Sequence, residues 1–110
     1  MSCGPGRRPV VQVRFRTRQL QRCYESIADA TREWGAEVAR RYVERVSILH
    51  TVDSIEDLHR ITPFRFHPLR GDHSGQYALR LRDRARLIVT FVQRTTLTVR
   101  VEEVSKHYGD

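Results

Sequence analysis

The sequence predicts an α+β domain in which one helical layer covers one sheet, and three observations carry that expectation. Val11, Val13 and Phe15 alternate with Gln12, Arg14 and Arg16, the period of a half-buried strand. From Leu20 to Leu49 apolar residues recur at three- and four-residue intervals, the period of amphipathic helices. After Pro63 the two-residue alternation returns in successive runs separated by turn residues.

The elements follow in order. Residues 1–9, from Met1 to Pro9, have nothing to bury and read as a flexible tail, leaving 10–110 as the folded domain. After the first strand, Leu20, Cys23, Tyr24, Ile27, Ala30, Thr31 and Trp34 mark one face of a helix that Thr17 caps and Gly35 ends. Val38, Tyr42, Val43, Val46 and Leu49 form a second helical stripe, so the two helices make an antiparallel hairpin across a glycine turn. Asp53 to Leu58 supplies capping residues and an apolar pair, which predicts one more short helical turn.

A four-stranded antiparallel meander is expected next. Phe64 and Phe66 alternate with Arg65 and His67 up to Pro68, whose missing amide suits an edge strand. Residues 69–75 are a turn, and Tyr77, Leu79 and Leu81 then alternate with Ala78, Arg80 and Arg82. Asp83 and Arg84 make a tight connection into Leu87–Val92, a run apolar on both faces that predicts a central strand covered on each side. Leu97, Val99 and Val101 form the last strand.

Composition narrows the function classes. A chain of 110 residues with a formal charge of +7 favours a polyanionic or acidic partner. Of its 20 basic residues, Lys106 alone is a lysine, the one cation that can release a proton at usable pH. Cys3 and Cys23 are too few for a disulfide framework, which points to a reducing, cytoplasmic setting. His50, His59, His67, His73 and His107 show no metal-ligand spacing, and neither a leader of signal-peptide length nor a span long enough for a bilayer is visible. No cofactor, metal or membrane is expected.

The chemistry lies in the last third. From Phe64 to Tyr108 there are nine basic residues against four acids. Arg80 and Arg82 are expected to project together from one strand face, where guanidinium forks can hold a phosphate backbone. Arg86 opens the most apolar strand. Lys106, His107 and Tyr108 then place an amine, an imidazole and a phenol in succession. Cleavage of RNA by its own 2′-hydroxyl requires a base, an acid and cations around the phosphorus, and these residues supply all three. Arg80 and Arg86 are the candidates for charge stabilisation, with Lys106 or His107 as base and His107 or Tyr108 as acid.

The run Leu69-Arg70-Gly71-Asp72-His73-Ser74-Gly75-Gln76-Tyr77-Ala78-Leu79-Arg80-Leu81-Arg82-Asp83, followed by Ala85-Arg86-Leu87-Ile88 and by Val101 to Tyr108, resembles toxins of the RelE/ParE superfamily, closest to the HigB branch. The resemblance extends over the whole domain and is most specific from Leu69 to Arg86. It implies a type II toxin that enters the ribosomal A site and cuts translated messenger RNA, with a HigA-like helix-turn-helix antitoxin as partner. Its catalytic residues map onto Arg80, Arg86, Lys106, His107 and Tyr108. The lysines that RelE proper carries on its second strand correspond to Arg65, His67 and Arg70, which with Arg82 form the expected RNA-binding set. The ending departs from the Asp-Tyr-His usual in the HigB branch, so acid and base stay interchangeable. Two other readings fit the same fold: a ParE-like inhibitor of DNA gyrase, and a catalytically silent module that binds RNA or antitoxin.

Overall fold

The computed structural model describes residues 11–52, 54–69, 75–93 and 97–106. The order of elements is β1 (Val11–Phe15), α1 (Arg18–Glu25), α2 (Ile27–Trp34), α3 (Ala36–Leu49), α4 (Ile55–His59), a 3₁₀ turn (Thr62–Phe64), β2 (His67–Pro68), β3 (Gln76–Arg82), β4 (Ala85–Gln93) and β5 (Leu97–Ser105). The expected α+β class is therefore observed. The expected tail, residues 1–9, lies outside the described residues.

The helical segment before Gly35 is two helices, not one. Ser26 adopts an extended backbone, and its Oγ accepts the Asp29 amide at 3.2 Å, capping α2. Its own amide closes α1 on the Arg22 carbonyl at 2.9 Å. A serine side chain that competes for backbone donors breaks a helix whose apolar period continues across the break. Gly35 ends α2 at φ 89°, a left-handed angle that a side chain would strain, and its carbonyl then accepts the Ala39 amide of α3.

The sheet has the order β1-β5-β4-β3-β2. β2 to β5 form the antiparallel meander, and β1 joins it in parallel at the far edge, Val13 opposite Val99. β2 is shorter than the alternation predicts. The 3₁₀ turn takes up Phe64, and Arg65 at φ 49° interrupts the extended run before His67. Pro68 does sit on the edge strand.

Among the described residues helices cover one face only, the single helical layer that the sequence predicts, so β4, expected to be covered on each side, has helices on one. Leu79, Leu81, Leu87, Val89, Val99 and Val101 meet Leu20, Tyr42, Val46, Leu49 and Leu58 in a single core. On the opposite face, here called the open face, Ala78 and Ile88 are buried while Val92 is exposed. Tyr42 is the largest fully buried side chain, and its hydroxyl donates to the Leu20 carbonyl at 2.7 Å. Burial, then the neighbouring Cys23 and Tyr24, pushes this phenol well above its ordinary range.

Candidate active site

Cross-strand partners in a ladder share a face, so register decides which predicted residues meet. Arg80 of β3 is opposite Arg86 of β4, and Arg86 is opposite Ser105 of β5. These three residues form one row across the open face. Ala78, two residues before Arg80 on the same strand face, is opposite His67 of β2, so His67 belongs to that face as well.

Arg82 does not accompany Arg80. The β3–β4 register shifts between Arg80 and Arg82, and Arg82 pairs with the core residue Ala85. The extra residue of this bulge turns Arg82 to the helical side, where its guanidinium meets Glu37 of α3 at 3.2 Å. A strict two-residue alternation from the sequence misses such a shift.

The turn between β3 and β4 fixes Arg86. Asp83 adopts φ 52° there, and Arg86 Nη1 donates to the Asp83 carbonyl at 2.5 Å and to the Ala85 carbonyl at 3.1 Å. Side-chain donors anchored on turn carbonyls lose rotamer freedom before any ligand arrives. His67 Nδ1 lies 2.7 Å from the Arg65 carbonyl, which can only accept. Nδ1 is therefore the donor of this bond. Arg65 itself is exposed in the loop before β2.

Lys106 is exposed and directly follows Ser105. It lines a cleft on the helical side of the sheet, at the edge made by the ends of β3 and β5 and the start of β4, together with Trp34, Glu37 and Arg82, and not the open face itself. Arg70, His107 and Tyr108 lie outside the described residues. No three of His, Cys, Asp and Glu converge on a metal-binding position among the described residues.

Sequence reasoning missed two features. Arg45 sits on the apolar stripe of α3 and is buried, with its guanidinium 4.5 Å over the Phe64 ring and Nε donating to the Arg80 carbonyl at 3.3 Å. Burial pushes this guanidinium below its ordinary value, while adjacent Glu44 acts in the opposite sense. Arg41 reaches the Leu81 carbonyl at 3.5 Å, so α3 closes the stretch of β3 that extends past two-residue β2. A cation spaced with Tyr42 and Leu49 was the available signal. The second is Glu102, buried at a register shift in β5, whose Oε2 accepts from Thr90 Oγ1 and from Arg100 Nε, each at 2.7 Å.

No family model matches the sequence, and no curated protein matches it. Among solved structures, the YoeB/ParE toxin from Agrobacterium tumefaciens is similar with a TM-score of 0.54 at 19% sequence identity, covering 88% of this chain and 99% of that one. The YoeB-YefM complex from Staphylococcus aureus gives a TM-score of 0.46 at 14% identity, covering 83% and 92% of the two chains. The first likeness is one of fold, and the fold is the one implied by the resemblance noted in the sequence.

Proposed function

We propose that the protein is the toxin of a type II toxin-antitoxin pair and acts as a metal-independent, ribosome-dependent endoribonuclease, a HigB-like messenger RNA interferase. The observation that supports this reading is the row Arg80, Arg86, Ser105, which brings the end of β5 beside two arginines paired across strands. A scissile phosphate on the open face would accept from both forks, as bidentate arginine contacts to phosphate do.

In the proposed reaction the 2′-hydroxyl attacks the adjacent phosphorus while a base removes its proton. The P–O5′ bond breaks, an acid protonates the departing 5′-oxygen, and a 2′,3′-cyclic phosphate remains. Arg80 and Arg86 offset the charge that grows on the phosphorane oxygens. His107 serves as base or acid and Tyr108 as acid, while Lys106, which lines the cleft on the helical side, lies off the row. His67 and Arg65, with Arg70, hold the flanking RNA, Arg82 being engaged with Glu37 on the helical side, and a HigA-like antitoxin is the proposed inhibitor, its acidic segments steered by the arginine surface.

Induction in cells with primer-extension mapping of messages, run beside a measurement of gyrase-dependent DNA breaks, tests the reading. Message cleavage lost in Arg80→Gln supports it. DNA breaks with intact messages overturn it in favour of gyrase inhibition.

A further inference from the structure

We propose that the cleft on the helical side of the sheet edge is a nucleotide subsite, taking one base of the RNA against Trp34 and an adjacent phosphate on Arg84 and Lys106. The proposal rests on the nuclease reading and extends it to a second place on the molecule. The cleft lies among the α2–α3 turn, the β3–β4 turn and the end of β5, and its volume of about 690 Å³ falls in the range of small-ligand pockets. Trp34 and Val38 supply its apolar wall. The indole is held against Tyr42, with ring centroids 4.6 Å apart and planes tilted by 59°, so a stacking surface exists before a ligand arrives.

The charges are divided between engaged and available ones. Glu37 is already held by Arg40 at 2.8 Å and by Arg82 at 3.2 Å. Among the described residues, Arg84 and Lys106 have no carboxylate within ion-pair distance, although both line the cleft. Position links the cleft to the open face. Ser105 is registered opposite Arg86, and the next residue, Lys106, lines the cleft. A single strand rounding this edge would place one phosphate on Arg80 and Arg86 and the neighbouring nucleotide at Trp34. An acidic peptide would meet the two cations but supplies a planar ring only where an aromatic residue happens to fall, whereas every nucleotide joins a planar base to a phosphate, so the observations favour a nucleotide.

Trp34 is the sole tryptophan of the sequence, which makes its emission a direct reporter. The test titrates the full chain with a short single-stranded RNA carrying 2′-deoxy sugars, which resists cleavage, and in parallel with a polyglutamate peptide of equal charge. Saturable quenching by the RNA is expected, weakened roughly tenfold by Arg84→Glu at fixed salt. Trp34→Phe should retain RNA affinity measured by anisotropy, and Trp34→Ala should lose roughly tenfold. Unchanged emission at saturating RNA, indifference to Arg84→Glu, or equal quenching by the peptide overturns the proposal. Message cleavage with flat emission removes the subsite and leaves the nuclease reading intact. Saturable quenching without any message cleavage removes the nuclease reading and leaves a nucleotide-binding cleft.

Discussion

Arg80 and Arg86 face each other directly across the β3–β4 ladder, two cations in one cross-strand pair. Like charges so placed weaken a sheet, and the Arg86 guanidinium is held in place by the carbonyls of its own turn.

Arg80→Gln should therefore separate stability from activity. Relief of the repulsion is expected to leave the melting temperature unchanged or raise it, by up to about 1 kcal/mol in stability. Message cleavage should fall by roughly two orders of magnitude, as when one donor to a developing charge is removed. Thermal unfolding and a ribosome-dependent cleavage assay on the same preparation check both halves.

Arg45 acts mainly on the fold. Arg45→Ala removes the stem packed on Phe64 and the donor to the Arg80 carbonyl, and should destabilise by about 3 kcal/mol. Arg45→Met keeps most of the stem and should cost only about 1 kcal/mol, since hydrophobic replacement of a buried charge is well tolerated. Urea denaturation of the two variants measures the gap, and equal losses would place the interaction in the charge alone.

Glu102 gathers Thr90, Arg100 and, at 3.9 Å, Arg16 around one buried carboxylate. Glu102→Leu leaves half-buried Thr90 without its acceptor while exposed Arg16 and Arg100 turn to water, and should cost about 2 kcal/mol, whereas Glu102→Gln retains an acceptor and should cost about 1 kcal/mol or less. Hydrogen exchange at β1 and β5 reports the damage, because the network lies where those strands pair.

Tyr42 predicts the alkaline limit of stability. The folded phenol is pushed up from its ordinary value of 10.0, so above that pH the unfolded chain releases a proton that the folded chain keeps. The sign follows: this contribution is whole below pH 10 and declines as pH rises, by about 1.4 kcal/mol per pH unit. Tyr42→Phe should start less stable, through loss of the bond to Leu20, and decline less steeply. Unfolding curves at successive alkaline pH values that stay parallel for the two proteins would refute this.

The layers and strand order within the meander were legible because burial repeats with the period of each element. Helix ends were legible where a special residue forces them, as at Gly35. Ser26 was not, since its side chain breaks the backbone without altering the apolar stripe. Of the candidate site, the alternation placed Arg80 and Arg86 on strands but not opposite each other, because cross-strand register is not written in a count of alternating positions, and neither are the bulges that turn Arg82 toward Glu37 and bury Glu102.

The parallel pairing of β1 with β5 sets the order in which the molecule can be finished. Among the described strands β1 is made before the others and its hydrogen-bonding partner β5 after them, so β1 waits unpaired until the meander has been synthesised. The strand that closes the sheet also brings Ser105 opposite Arg86, so assembly of this row coincides with completion of the fold.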